Sequence, residues 1–419
     1  MKGQELLLKC ETKEIADAPQ PAEVLLPLRD FDIKKDKKKL KEDLPVKTGQ
    51  QLKPGFFSTV TGTIKGFGPL TPAVAEPIYL RIAVSDSEEI DPLLQAEPDF
   101  LEQEPQALLE KLNRANLGFC EELQPVDTVV VSAVDEEPLI MVYGQLLREN
   151  KERVFAGLRL LKHLTSAQKV VLAVPQPLYS FVSGAAADGI EVHSVVPRYP
   201  NGLPEILIRD MAAAYNVDSH LFLNVEKLLA AAAALTDGKP FSHKVVTVID
   251  KQGAGNYRVR IGTPLAELLK DRRIKDNDKV IIGGPFRGST CFDLSMPVTA
   301  ATDCIYIQDE NEVAFFHNNQ CLNCGRCVRA CPVDLDVNLL GRYAEFAIFD
   351  QCLEMDLKNC IECGLCAYVC PSGRSLVQLL RLAKSEGEKL ESELEKEAVN
   401  VLEDKQEENK EEKDGERLS

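Results

Sequence analysis

Two cysteine runs decide the fold of the C-terminal part of the chain: CLNCGRCVRACP at residues 321–332 and CIECGLCAYVCP at residues 360–371. In each run three cysteines stand three residues apart, and a fourth follows four residues later, directly before a proline. Three cysteines with this spacing hold three corners of a [4Fe–4S] cube, whereas the fourth ligates the other cluster. The runs therefore predict an α-helical, ferredoxin-like module with two [4Fe–4S] clusters, which passes single electrons.

The predicted ligand sets cross between the two runs. Cluster 1 is assigned Cys321, Cys324, Cys327 and Cys370, and cluster 2 is assigned Cys360, Cys363, Cys366 and Cys331. Zinc is the alternative metal, but zinc ribbons use two separated cysteine pairs rather than four cysteines in one short run. Gly325 and Gly364 lie between ligands, where a glycine lets backbone N–H groups approach the sulfurs.

The other five of the thirteen cysteines have no neighbour at ligand spacing. They are Cys10, Cys120, Cys291, Cys304 and Cys352. A buried apolar thiol is the expectation for each, and Cys120, which lies close to Gly118, is the one to examine for reactivity. Because most cysteines fall in ligand runs, the sequence predicts a reducing, cytoplasmic environment rather than a disulfide framework.

Composition narrows the function further. The net charge is −17, and the chain shows no aromatic-studded basic groove, which argues against nucleic acid as a partner. The N-terminal stretch lacks the apolar core of a secretory signal, and no apolar stretch approaches the roughly 20 residues of a membrane helix. The basic run Lys34–Lys39 is interpreted as a solvated loop, with an anionic membrane surface as the alternative.

The length of 419 residues predicts several domains, and the patterns along the chain divide it into five segments. Short strands separated by glycine and proline indicate a β-sandwich-like N-terminal domain. A doubly wound, Rossmann-like α/β domain is indicated next by three apolar strands with helices between them, TVVVSAV, KVVLAV and EVHSVV. The strands KVVTVID, YRVRIG and KVIIGGPF around one helix indicate a β-grasp-like domain, with an extension of the α/β domain as the alternative. The predicted segments are residues 1–90 (β-sandwich-like), 91–240 (α/β), 241–308 (β-grasp-like), 309–385 (dicluster module) and 386–419 (charged tail).

In this order the domains resemble the C subunit of the Rnf ion-translocating ferredoxin:NAD oxidoreductase complex. The similarity covers roughly residues 25 to 385 and is carried by the two cysteine runs, by GGPFRGSTCFDLSMPVTAATDCI and by RYPNGLPE. TGQQLKPG and VTGTIKGF resemble the biotinyl-like sandwich of that family, and KVVTVID to KVIIGGPF resembles its soluble-ligand-binding β-grasp (SLBB) domain. The resemblance implies an electron-input subunit, peripheral on the cytoplasmic face of the cell membrane. Its implied partners are other subunits of the complex and a ferredoxin, a cytochrome or NADH.

The resemblance also implies FMN and NADH in the α/β domain, held by a glycine-rich loop. The corresponding stretch, ANLGFCEELQP, keeps one glycine, Gly118, and continues with acidic Glu121 and Glu122, which repel phosphate. A later acidic family segment survives only as Val134–Pro138. We therefore predict a degenerate nucleotide site and assign no catalytic or nucleotide-binding residue.

Three functions follow from these observations, and they leave open whether the chain is an enzyme in its own right. The first is an iron–sulfur electron-transfer subunit of a membrane-bound Rnf-like oxidoreductase and translocase complex. The second is a soluble flavin-dependent reductase, similar to cobalamin reductases, that uses FMN and NADH. The third is a non-enzymatic electron-transfer subunit whose α/β domain only docks partners.

Overall fold

The structure is a computed structural model. It describes residues 14–28, 39–70, 77–97, 99–118, 123–184, 189–215, 217–313 and 319–393. The chain forms two compact units, residues 1–313 and 314–419, and each is treated by itself below. Several residues discussed above lie outside the described ranges. They are Cys10, most of the basic run (residues 34–38), Cys120, Glu121, Glu122 and the charged tail beyond residue 393.

The N-terminal part of the first unit is built from short strands. These are β1 (Ile15–Asp17), β2 (Glu23–Leu28), β3 (Pro45–Val46), β4 (Gln51–Lys53), β5 (Phe56–Phe57), β6 (Gly62–Pro69) and β7 (Ile78–Val84). Strands β2, β7, β6 and β3 form an antiparallel sheet in that order, and β4 pairs with β5. Val24, Ile64, Leu80 and Ile82 are fully buried in its core.

A parallel sheet with helices follows. Its elements are α1 (Pro105–Arg114), β8 (Thr128–Ser132), α2 (Tyr143–Glu149), α3 (Lys151–Thr165), β9 (Lys169–Pro175), α4 (Tyr179–Ser183), β10 (Ile190–Val195), α5 (Pro204–Met211), β11 (His220–Asn224) and α6 (Val225–Thr236). The strand order is β10-β9-β8-β11, and all pairs are parallel. The order reverses between β8 and β11, and α/β sheets bind ligands beyond the carboxyl ends of the strands at such a switch point.

The predicted strands β8, β9 and β10 are confirmed, and every residue of β8 is buried. Two features of this sheet differ from the sequence interpretation. The helix expected through LLRENKERVFAGLRLLKHL is two helices, α2 and α3, that meet at Asn150, whose backbone is not helical. Strand β11 was not predicted because HLFLN is short, yet it forms the second side of the switch point.

A six-stranded sheet completes the first unit. Its further elements are β12 (His243–Asp250), β13 (Gly253–Arg260), α7 (Leu265–Leu268), β14 (Lys279–Ile282), β15 (Ser289–Thr290) and β16 (Cys304–Gln308). The order is β1-β13-β12-β16-β14-β15. Neither β1 nor β16 was predicted, although β16 lies between β12 and β14. The sheet is hydrogen-bonded separately from the parallel sheet, but Val245, Ile249 and Cys304 share a core with it.

The second unit is helical. It contains α8 (Arg326–Arg329), α9 (Val337–Glu345), α10 (Phe349–Glu354), α11 (Leu365–Tyr368) and a helix α12 that includes residues 376–393. Leu340, Leu357 and Leu380 are buried at its centre. The mixed α/β and helical architecture expected from the sequence is thus confirmed at the level of several sheets and a helical C-terminal module.

Candidate functional site

The first cavity of the helical unit brings together one complete predicted ligand set. Four cysteines line it: Cys321, Cys324, Cys327 and Cys370. Three of them come from the loop and first turn around α8, whereas Cys370 comes from the second run, just after α11. The tertiary structure therefore joins the runs in the crossed manner that the spacing predicts, and ligation itself stays a prediction.

The second cavity contains the other set. Its cysteines are Cys331, Cys360, Cys363 and Cys366. Cys331 ends the first run, and the other three belong to the loop and first turn around α11. In the part of the chain that the structure describes, no three His, Cys, Asp or Glu side chains converge closely enough to share a single metal ion.

The two loops have the same backbone conformation because the sequence repeats its key residues 39 positions apart, as from residue 321 to residue 360. Gly325 and Gly364, which precede α8 and α11, have φ angles of 66° and 77°. Asn323 and Glu362, two residues after the first cysteine of each run, have φ angles of 53° and 54°. Left-handed residues reverse the chain within a few residues, and these reversals curl each loop around its cavity.

Backbone N–H groups already point at cysteine sulfurs. The N–H of Asn323 donates to Cys321 Sγ at 3.4 Å, and the N–H of Leu335 donates to Cys331 Sγ at 3.4 Å. The Asn323 N–H is the main reason why the pKa of the Cys321 thiol is lowered. Cluster sulfurs accept such bonds, which contribute to the reduction potential.

The thiols of the second cavity are in a drier setting. Burial raises the pKa of Cys363 to about 11 and that of Cys366 to about 12. Both side chains are buried, whereas Cys324 in the first cavity is exposed. Negative charge on sulfur is therefore less favourable in the second cavity.

The residues present fit iron–sulfur clusters. Each cavity supplies four thiols, and the first also contains a buried donor, the Nε–H of Arg374, that has no hydrogen-bond partner among the described residues. Thiolate and sulfide accept hydrogen bonds from such donors, so a cluster would satisfy it. Sequence reasoning missed Arg374. The sequence does contain a sign of it: four residues after the last cysteine, the second run has the charged Arg374, whereas the first run has the apolar Leu335.

The switch point of the parallel sheet is the place to test the predicted nucleotide site. Asp135, which follows β8, is buried and accepts the backbone N–H groups of Val142 and Tyr143 at 2.8 and 2.9 Å. These groups are at the start of α2. Asn224 at the end of β11 caps α6 by accepting the Lys227 N–H at 2.9 Å. Among the described residues at this edge, the N-termini of α2 and α6 therefore each already bind a side-chain oxygen of the chain itself.

The neighbouring carboxylates occupy the rest of this edge. Glu137 accepts the backbone N–H groups of Phe286 and Arg287, and Glu136 forms an ion pair with the Arg287 side chain at 3.0 Å. Burial, reinforced by Asp303, raises the pKa of Glu136 to about 7. Negative side chains and used N–H groups do not fit the phosphates of FMN or NADH.

A buried ion network closes the same edge. Lys244 on β12 forms ion pairs with Glu226 and with Asp303, and the Lys244 and Glu226 side chains are almost fully buried. The Tyr143 hydroxyl bonds to Asp303 at 3.3 Å and accepts from Asn224 at 2.9 Å. No sequence pattern indicated this network because its members come from separate strands and helices.

The isolated cysteines follow the expectation where the structure describes them. Cys304 and Cys352 are fully buried, and burial raises the pKa of both thiols. Cys291 is half-buried, its Sγ lies 3.8 Å from Met296 Sδ, and burial raises its pKa as well. None of the three is activated as a nucleophile.

Two family models match the chain. Residues 313–371 match the 4Fe-4S dicluster domain, and residues 121–240 match the NqrA second alpha/beta domain. The helical unit is therefore a 4Fe-4S dicluster domain that binds iron–sulfur clusters. The chain thus joins an iron–sulfur domain to an α/β domain.

Curated relatives define the family. The C subunit of the ion-translocating oxidoreductase complex of Vibrio cholerae is 31% identical over 391 residues, which cover 82% of this chain and 50% of the relative. The same protein is 31% identical in Pasteurella multocida, over 80% of this chain and 44% of the relative. In Yersinia pseudotuberculosis it is 29% identical, over 79% of this chain and 53% of the relative. The chain belongs to this family of C subunits, and it spans about half the length of these relatives.

The chain is also similar to a solved structure. An NAD⁺-reducing [NiFe]-hydrogenase in the H₂-reduced state is 18% identical with a TM-score of 0.40, over 66% of this chain and 58% of that chain. Within the described ranges, no helix is both long enough and apolar enough to cross a membrane.

Proposed function

We propose that this chain is the iron–sulfur electron-transfer subunit of a membrane-bound ion-translocating oxidoreductase complex, and that it relays electrons through two [4Fe–4S] clusters. The observation that carries the proposal is the pair of cavities, each lined by four cysteines drawn from both runs. The relatives, named as subunits of an ion-translocating oxidoreductase complex, support the place of the chain in such a complex.

The proposed ligands follow the cavities. Cluster 1 is held by Cys321, Cys324, Cys327 and Cys370, and cluster 2 by Cys331, Cys360, Cys363 and Cys366. When bound, the clusters supply one-electron redox chemistry. The chain's own residues hold the sulfurs, direct N–H groups at them and, around the second cavity, exclude water.

The remaining domains are proposed to place this module within the complex. They are a biotinyl-like sandwich in residues 1–90, a Rossmann-like domain in residues 91–240 and an SLBB-type β-grasp domain in residues 241–308, with the dicluster module in residues 309–385 and a charged tail after it. The α/β domain docks partners rather than a nucleotide, because carboxylates fill its switch point. The subunit is peripheral on the cytoplasmic face of the membrane and exchanges electrons with other subunits and with a ferredoxin or a cytochrome.

Anaerobic purification of the full chain tests the proposal. We expect about eight iron and about eight sulfide ions per chain, no flavin, and clusters that dithionite reduces but NADH alone does not. Iron near half that value would contradict two clusters. Stoichiometric FMN with rapid reduction by NADH would favour the flavin-dependent reductase instead.

Membership of a complex is tested separately. A tagged chain expressed in its own cells should co-purify with integral membrane proteins after mild detergent extraction. Recovery of all the chain from the cytosol, with no membrane partner, would contradict the proposed complex while leaving the cluster proposal intact.

A further inference from the structure

The two cluster cavities are related by the 39-residue repeat, but their surroundings differ at one matching position. Four residues after the last cysteine of each run, the repeat places Leu335 in the first run and Arg374 in the second. Both side chains are buried, at 5% exposure each. Arg374 lines the first cavity, whereas aliphatic Val337, Val377 and Leu380 line much of the second.

Arg374 is held in one orientation. Its Nη2 forms an ion pair with Glu345 Oε2 at the end of α9. Its Nε–H is buried and has no partner among the described residues. The carboxylate thus holds one end of the guanidinium, and the Nε–H of this cavity-lining residue is left as a donor.

Other charged groups near the two cavities strengthen the difference. Arg326 also lines the first cavity. In the second cavity the charged lining residue is Glu362, and Arg381 and Lys384 pair with it at 2.7 and 3.3 Å. Two arginines, Arg326 and Arg374, thus line the first cavity, and Arg374 is paired with Glu345. At the second cavity, Lys384 pairs with Glu362 and also donates to the backbone carbonyl of Cys360.

Solvent exposure acts in the same direction. Cys324 of the first cavity is exposed, and the adjacent Leu322 is 68% exposed. Cys363 and Cys366 of the second are buried. Reduction adds negative charge to a cluster, and N–H donors, cations and water all stabilise that charge.

We propose that Arg374 is a positioning residue that donates a hydrogen bond to a sulfur at the first site and makes cluster 1 the more easily reduced of the pair. This inference rests on the proposed function, because it requires two clusters. With both clusters bound, a single electron on the pair would reside mainly at the first site, and no proton transfer is required.

The test is an anaerobic redox titration of the full chain followed by electron paramagnetic resonance. The wild type should show two unequal midpoint potentials, and Cys324→Ala should remove the higher one. Arg374→Gln should lower the higher midpoint enough to change the electron distribution between the clusters about tenfold, or about 59 mV for one electron. The lower midpoint should not move.

Three further variants separate the hydrogen bond from a general charge effect. Arg374→Lys should restore part of the shift, and Glu345→Gln should raise the same midpoint because the guanidinium loses its counter-charge. Lys389→Gln removes an exposed charge that pairs with Glu386 on α12, and it should shift neither midpoint.

The outcomes are distinguishable from failure of the proposed function. A wild type with one cluster or none would overturn the two-cluster proposal itself. With full iron content, an unmoved higher midpoint in Arg374→Gln, equal shifts of both midpoints, or shifts of the same sign in Arg374→Gln and Glu345→Gln would overturn the role of Arg374. If Arg374→Gln loses iron, the opposite shift expected for Glu345→Gln and the partial shift of Arg374→Lys decide the question.

Discussion

Asp135 at the end of β8 provides a sharp test of how the switch point is filled. Its carboxylate accepts two backbone N–H groups, but burial outweighs them and, with a smaller contribution from Asp303, raises its pKa from 3.8 to about 6. The folded chain therefore binds a proton at this group more tightly than the unfolded chain does. Stability from this group is highest below about pH 4 and is lost as the pH rises towards about 6.

The size of the effect follows from the shift. Two pKa units correspond to about 3 kcal/mol of unfavourable charge in the folded state near pH 7. Asp135→Asn keeps an oxygen that accepts the same N–H groups and removes the charge. We therefore expect the variant to be more stable than the wild type by up to about 3 kcal/mol near pH 7, and by about 1.4 kcal/mol less near pH 5.

Urea unfolding at these two pH values measures the difference. Far-UV circular dichroism follows both units, whereas visible cluster absorption follows the helical unit alone and should be unchanged by the substitution. Burial also raises the pKa of Glu136, to about 7, and that of Glu137. These two groups make the free energy of unfolding depend on pH in the wild type and in Asp135→Asn alike. A variant less stable than the wild type near pH 7, or an unchanged gap between the two pH values, would refute the reasoning.

Three further substitutions, two of them with a matched control variant, test the site and the fold. Cys363→Ala should remove about half of the iron, whereas Cys352→Ala, which removes a thiol from the core and not from a cavity, should retain all of it in the same iron assay. Lys244→Met leaves two buried or half-buried carboxylates without their cation and should reduce the free energy of unfolding by about 3–5 kcal/mol in urea titrations. Gly202→Ala would place its Cβ 2.2 Å from a backbone oxygen and should cost about 1–3 kcal/mol. Gly118→Ala, whose Cβ would meet no atom of the described residues within 4 Å, should be neutral in the same titration.

Local sequence patterns predicted much of the secondary structure. The strands β8 and β9 were predicted because a buried parallel strand is a continuous apolar run, and nearly every residue of both strands is buried. The strands β1, β11 and β16 were missed because three to five residues give no periodicity, and their place depends on partners distant in sequence. Asn150 likewise divides one apparent helix into two: its side chain donates to the Leu146 carbonyl, a local hydrogen bond that the apolar spacing does not encode.

The cysteine runs by themselves determined that this chain has two crossed sets of four thiols, because ligand spacing is a local property and the fourth cysteine cannot turn back to its own loop. Only the tertiary structure decided what surrounds them. Arg374 reaches the first cavity because Glu345, on another helix, holds it there, and Asp135 fills the switch point because the start of α2 folds onto it. Hydrogen bonds and charge pairs between distant segments depend on three-dimensional proximity, which residue spacing does not specify.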